Sequence, residues 1–225
     1  MNYLIIFLVP LLVGYFMGAL PFGYWAGKLK GIDLTKEGSG STGTTNVLRL
    51  VGKKEAFFVL LGDFLKGVLA PIVSKLVVAS LLVTSAENPS WMLPLVGVLA
   101  SFAALLGHVK SCWIGFKGGK AVATGVGTMF GLDWRVGLVT AIIWGSTVVL
   151  SKYSSLGALV AVPLSPLTMY FFQSDYFKLL PNSPLITQTL IYTAYCLVGA
   201  IYIVYKHRAN IKRLIEGTEP KVGKK

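Results

Sequence analysis

The sequence predicts an all-α integral membrane protein with seven transmembrane helices, one of them short, the N-terminus outside and the C-terminus cytoplasmic. Three observations predict it. Of 225 residues, 54% are hydrophobic and only 13% charged, against about 25% charged in ordinary soluble domains. The apolar residues gather into stretches of bilayer length. The lysines and arginines fall almost entirely in alternate connecting loops. A soluble globular core is close to excluded by this composition. Disorder is excluded, because it needs a polar, charge-rich chain.

The first stretch covers residues 3–25. No Lys or Arg precedes it, and the first is Lys28. A cleaved signal peptide needs a basic start, so a retained first helix is expected. The second stretch, 56–83, carries Asp63 and Lys66, and the third covers 91–106. The fourth, 121–130, has ten residues, roughly 15 Å of helix. That is too short to span alone, so it is expected to start deep in the protein. Residues 136–150, 156–172 and 185–205 complete the set. Seven is odd, so the termini fall on opposite faces.

Charge fixes the orientation. With the loop after the first helix inside, the inner side holds Lys28, Lys30, Lys36, Arg49, Lys53, Lys54, Lys110, Lys117, Lys120, Lys152, Lys206, Arg208, Lys212, Arg213, Lys221, Lys224 and Lys225. Arg135 and Lys178 fall outside, and Lys66 and Lys75 lie within the second helix. The net charge of +12 is thus a mark of topology, and no nucleic acid is needed to explain it. Cys112 and Cys196 lie far apart, which argues against a disulfide framework and gives no metal spacing. Asp63 and Lys66 are three apart and can pair on one helix face. Charges inside spans are also functional candidates, and both readings stand.

This topology brings three polar segments to the inner face. The first is Gly38-Ser39-Gly40-Ser41-Thr42-Gly43-Thr44-Thr45-Asn46, with Arg49 close behind. Glycines permit the backbone of an anion-binding nest, Ser39, Thr45 and Asn46 add donors, and Arg49 adds a fork for phosphate. The string also fits G-x-G-x-x-G, with Asp63 twenty residues on. A dinucleotide fingerprint needs a preceding strand, whereas the flanks here are membrane helices. The second segment runs from Gly107-His108 to Phe116-Lys117-Gly118-Gly119-Lys120-Ala121. It opens the short helix, whose free amides suit an anion. No Ser or Thr follows Lys120, so it is not a Walker A loop. The third is His207-Arg208-Ala209-Asn210-Ile211-Lys212-Arg213-Leu214-Ile215-Glu216-Gly217-Thr218-Glu219. On a helix, His207, Asn210, Ile211 and Leu214 share one face. A basic helix lying on anionic lipid explains the lysines and arginines, but not His207 and Asn210 on the buried side.

In this order and on this topology, the three segments resemble the bacterial acyl-phosphate-dependent glycerol-3-phosphate acyltransferase family. The matching residues are Gly38, Ser39, Gly40, Gly43, Thr45, Asn46 and Arg49; then Gly107, His108, Phe116, Lys117, Gly118, Gly119, Lys120, Ala123 and Thr124; then His207, Asn210, Ile211, Arg213, Leu214, Gly217 and Glu219. Ser41, Thr44, Ser111 and Ala121 depart from the family pattern, which has Asn, Ala, Pro and Gly there.

The resemblance implies a single membrane-embedded domain over residues 1–225, with residues 206–225 a cytoplasmic segment carrying the third motif. It implies an enzyme of the bacterial inner membrane that transfers a fatty acyl group from acyl phosphate to the 1-position of glycerol 3-phosphate, a first step of phospholipid biosynthesis. By family analogy Ser39, Arg49, Lys120, His207 and Asn210 serve glycerol 3-phosphate. Gly43, Thr45, Asn46, Gly118 and Gly119 serve the acyl-phosphate group, with Gly40 and His108 further substrate contacts. The acyl chain is expected in an apolar groove open to the lipid. No cofactor and no metal are implied, and the chain is expected to act as a monomer among membrane lipids. The H-x-x-x-x-D motif of other glycerolipid acyltransferases is absent: Trp113 stands five after His108, and Lys212 five after His207. The base is then either an oxygen of the acyl phosphate itself or His207. A membrane transporter or binding protein for a small organic phosphate is the competing reading, although no internal repeat supports it.

Overall fold

The computed structural model describes residues 3–81, 89–174 and 185–222. The expected end of the second segment at Val83, and Lys178, Lys224 and Lys225, lie outside the described residues. The described chain forms ten α-helices: α1 (Tyr3–Ala19), α2 (Phe22–Lys28), α3 (Thr44–Leu50), α4 (Lys53–Leu81), α5 (Met92–Val109), α6 (Val122–Leu132), α7 (Trp134–Ser151), α8 (Ser154–Ser174), α9 (Leu185–Lys206) and α10 (Arg208–Ile215). Six spans are long and apolar enough to cross a membrane, with α1 and α2 counted as one, and α6 is a shorter apolar helix. This is a multi-pass, all-helical arrangement of six long spans and one short helix.

Two expected elements are corrected. The first span is not continuous. Pro21 has no N–H to continue the ladder, so α1 ends at Ala19 and α2 restarts at Phe22. The end of the glycine-rich segment winds into α3. Helix α6 begins at Val122 rather than Ala121, because Ala121 itself is left-handed.

Small residues set the helix packing, as they do where apolar surface alone cannot drive helices together in lipid. Gly14 and Gly18 of α1 lie against the backbone at Ala100 and Ala104 of α5. Gly67 of α4 and Gly127 of α6 face each other so closely that a Cβ on either would enter the other helix's backbone. That approach seats α6 against α4 inside the bundle. Helices α7, α8 and α9 pack in sequence beside it. A buried cluster of Leu105, Met129, Val136, Val162, Met169, Tyr195 and Ile203 fills the space between α5, α6, α7, α8 and α9. Lipid-facing sides carry exposed Leu76, Ile142, Leu167 and Ile201.

At the far end of α6, Asp133 caps α7 by accepting the Arg135 amide at 3.0 Å. Its carboxylate also takes Arg135 Nη2 at 2.6 Å and Gln173 Nε2 at 2.7 Å. The ends of α6, α7 and α8 are fixed there. The opposite end of α6 reaches the three polar segments.

Candidate active site

In the first segment, Gly38 and Gly40 adopt φ of 60° and 66°, a region glycine enters without strain. The loop they form folds over the start of α3. Asn46 is buried and clasps it. Its Nδ2 donates to the carbonyls of Ser41 at 3.0 Å and Glu37 at 3.1 Å, and its Oδ1 accepts from the Ser39 amide at 3.1 Å. The Gly40 amide donates to the Glu37 carbonyl at 3.1 Å, and the Gly43 amide to Ser41 Oγ at 3.3 Å. Gly40, Gly43 and Asn46 therefore use on the loop the donors that the sequence suggested for an anion. Ser39 itself is exposed. Arg49, in the last turn of α3, has no ion-pair partner among the described residues. Thr45 Oγ1 lies 3.4 Å from Ser154 Oγ at the start of α8.

In the second segment the chain leaves α5 and doubles back. Ser111 N–H donates to the Lys117 carbonyl at 3.0 Å, and Phe116 N–H to the Ser111 carbonyl at 2.8 Å. Gly115 and Phe116 turn it with φ of 66° and 57°. Gly118 and Gly119 then press onto His108, leaving no room for a Cβ. The Gly119 amide donates to the His108 carbonyl at 3.2 Å. Ala121 takes φ 60°, and α6 starts with its first amides unpaired within the helix. The Gly119 amide is therefore taken, and the start of α6 adds open backbone donors beside it. The ring of His108, expected at the substrate, instead turns into the bundle. Its Nδ1 lies 3.1 Å from Thr124 Oγ1 and 3.5 Å from Asp63 Oδ1.

In the third segment α9 stops at Lys206, and α10 begins after a break at His207. His207 Nδ1 sits 2.8 Å from the Ile203 carbonyl. A carbonyl only accepts, so Nδ1 holds the hydrogen and Nε2 keeps a lone pair. Burial pushes the His207 pKa below its ordinary value, with Lys120 and Lys206 acting the same way against the Ile203 carbonyl and Glu219.

The segments meet through side chains. Lys120 Nζ donates to Asn210 Oδ1. Asn210 Nδ2 donates to Glu219 Oε1 at 2.7 Å, and Ser155 Oγ donates to the same oxygen at 2.6 Å. Arg213 Nε holds Glu219 Oε2 at 2.7 Å. Burial alone would raise the Glu219 pKa, but Ser155, Asn210 and Arg213 together hold it below the usual carboxylate range. Burial lowers the Lys120 pKa, against the opposing pull of Glu219. The segment beyond α10 is pinned where Val222 N–H donates to the Lys152 carbonyl at 2.7 Å.

Beside this network lies a shallow apolar groove, lined by Leu105, Ala121, Val122, Gly125, Met129, Val162, Tyr195, Gly199 and Ile203. Ala121 follows Lys120, and the Ile203 carbonyl holds His207, so the groove adjoins the polar site. No group of three His, Cys, Asp or Glu side chains among the described residues is placed to hold a metal.

Reasoning from sequence gave no role to Ser155, Thr124 or Glu219. Glu219 carried a signal, as an acidic residue in a basic tail. Ser154 and Ser155 offered only a serine pair after Lys152.

Comparison with known proteins agrees with this arrangement. A family model described as glycerol-3-phosphate acyltransferase matches residues 8–217. A glycerol-3-phosphate acyltransferase of Synechococcus sp. (strain JA-3-3Ab) is 39% identical over 219 residues, covering 97% of this chain and 94% of that protein. One from a Nostoc species is 40% identical over 220 residues, covering 95% and 91%. Among solved structures, the glycerol 3-phosphate form of PlsY (YgiH), an integral membrane glycerol 3-phosphate acyltransferase, superposes with a TM-score of 0.73 at 32% identity, covering 96% of this chain and 95% of that one. Its lysophosphatidic acid form gives 0.71 at 31% identity, covering 95% and 94%. The family match spans nearly the whole chain and takes in the first two segments of the site and the third as far as Gly217: this protein belongs to the glycerol-3-phosphate acyltransferase family.

Proposed function

We propose that the protein transfers a fatty acyl group from acyl phosphate to the 1-hydroxyl of glycerol 3-phosphate, releasing 1-acylglycerol 3-phosphate and inorganic phosphate. The observation that carries this reading is the joining of the three polar segments at one end of the bundle, through Thr45–Ser154, Ser155–Glu219, Glu219–Asn210 and Asn210–Lys120. Its relatives are named for acyl transfer to glycerol 3-phosphate. Related structures hold that substrate and a lysophosphatidic acid.

Both substrates carry phosphate. Arg49, Ser39 and Lys120 serve glycerol 3-phosphate, with Asn210 steadying Lys120. The Gly118–Gly119 turn and the first amides of α6 serve the acyl-phosphate group, where the positive helix end favours an anion. Gly43, Thr45 and Asn46 act by shaping the loop that faces it. The acyl chain lies in the groove along Gly125 and Met129.

The reaction needs one proton transfer. The glycerol oxygen attacks the acyl carbonyl carbon, and the carbon–oxygen bond to phosphate breaks. The phosphate oxygen takes the hydroxyl proton, so inorganic phosphate leaves with it. The lone pair on His207 Nε2 orients that hydroxyl. The residues position the two substrates and stabilise charge, a contribution worth several powers of ten. The polar end faces the cytoplasm of the bacterial inner membrane, with residues 206–225 as a cytoplasmic segment of a single domain. A monomer is sufficient.

The test is purified protein with palmitoyl phosphate and glycerol 3-phosphate, following phosphate release and lysophosphatidic acid. Stoichiometric products without any thioester support the donor. Product from acyl coenzyme A alone overturns it. Silence with every donor, together with phosphate-ester binding, favours a transporter or binding protein.

A further inference from the structure

The charges inside α4 take no part in the chemistry above. Asp63 and Lys66 are 2% and 4% exposed. Lys66 Nζ lies 2.7 Å from Asp63 Oδ1 and donates to the Leu20 carbonyl at 2.8 Å, at the break between α1 and α2. Mutual pairing satisfies Lys66, but it does not account for the third partner. The same Asp63 oxygen stands 3.5 Å from His108 Nδ1 in the last turn of α5. Thr124 Oγ1, near the start of α6, lies 3.1 Å from that nitrogen. The imidazole nitrogen thus faces polar groups on two other helices, α4 and α6.

His108 in turn carries the glycine turn. Its carbonyl accepts the Gly119 amide at 3.2 Å. The Gly119 α-carbon lies so close to ring Nε2 that a methyl there would overlap it, and Gly118 lies against the His108 carbonyl in the same way. Thr42, from the first segment, and Ser111 line the same small pocket as Asp63, Lys66 and His108.

We propose that Asp63 is a positioning residue for the acyl-phosphate side of the site: by holding the His108 ring, it sets the Gly118–Gly119 turn from which Lys120 and α6 project. This rests on that turn serving acyl phosphate. A buried ion pair is weak evidence for stability in itself, whereas a site must hold its contacting groups through a fixed supporting layer. Asp63 touches no substrate and acts through His108.

The test uses the whole protein in detergent, with Asp63→Asn and the double variant Asp63→Asn/Lys66→Met, which leaves no unpaired buried cation if the single variant fails to fold. KM is measured separately for palmitoyl phosphate and glycerol 3-phosphate, alongside hydrogen exchange of the segment 108–121. The expected result in both variants is a KM for palmitoyl phosphate raised about tenfold, the kinetic equivalent of one lost hydrogen bond to a charged group. The KM for glycerol 3-phosphate stays within about twofold, and the Gly119 amide exchanges faster. Thr124→Val shifts the same KM in the same direction. Return of the double variant to wild-type behaviour would mean that Asp63 only neutralises Lys66, and would overturn the proposal. Equal rises in both KM values, with unchanged exchange at Gly119, would overturn it too. If wild-type protein uses no acyl phosphate, the donor reading fails, and exchange at Gly119 still decides what Asp63 holds.

Discussion

Lys120 and Asn210 lie 90 residues apart in sequence, and the lysine ammonium donates directly to the asparagine side-chain oxygen. The amide is suited to that position because it accepts from a cation on one side and donates to Glu219 on the other. A carboxylate or an aliphatic side chain would supply only one of these, or neither.

Glu219→Gln is expected to break the junction. The carboxylate accepts from Ser155, Asn210 and Arg213, and an amide replaces one accepting oxygen with a donor. A loss of about 1–3 kcal/mol is expected for a buried partner left unsatisfied, read as a lower Tm in detergent. The KM for glycerol 3-phosphate should rise with it. Ser155→Ala removes one donor, and a smaller loss of about 1 kcal/mol is expected.

The depressed His207 pKa gives a pH dependence of known sign. The unfolded chain takes up the proton first as pH falls. The His207 contribution to stability is therefore whole above the ordinary histidine value of about 6.5 and is lost as pH drops towards the lower folded value. Thermal melts across that range should show lower Tm at acid pH, and the slope should shrink in His207→Gln.

The same variant separates the two candidate bases. With the substrate phosphate as base, His207→Gln lowers kcat/KM but keeps an acid limb, because the phosphate's own ionisation remains. A limb that vanishes with the imidazole would make His207 the base.

Ala121 holds φ 60°, which costs an L-residue about 1–2 kcal/mol. Ala121→Gly relieves that strain and adds unfolded-chain freedom, so stability should change by no more than about 1 kcal/mol. Activity should persist. Ala121→Val at the same φ should lower Tm and turnover together.

Groove occupancy is testable at Gly199, where an added Cβ meets nothing within 4 Å. Gly199→Leu projects into the groove. The kcat/KM ratio of palmitoyl to octanoyl phosphate should fall about tenfold, as expected when a few buried methylenes lose their place.

Much of this was legible in the sequence. The spans were readable because bilayer thickness dictates helix length, and α5, α7, α8 and α9 start and end within about three residues of the apolar runs. The three segments were readable because glycine, arginine and histidine are unusual residues to concentrate beside apolar runs. Pro21 was visible, but whether it ends a helix or bends it depends on what donates to the freed carbonyl, here Lys66 from 46 residues away. Donor direction was not legible. Asn46 and His108 have the right chemistry for a ligand, and only the fold shows their hydrogen bonds turned inward. Ser155 carries no signal apart from Glu219, which meets it across 64 residues.

The C-terminal segment, pinned by Val222 to Lys152, also bears on when activity can arise. His207, Asn210 and Glu219 are synthesised after the last of the described spans. A nascent chain with all its spans inserted still lacks the carboxylate that orders Asn210 and offsets Lys120. Competence is therefore gained only after insertion is complete, so a chain stalled in translation would occupy the membrane without catalysing there.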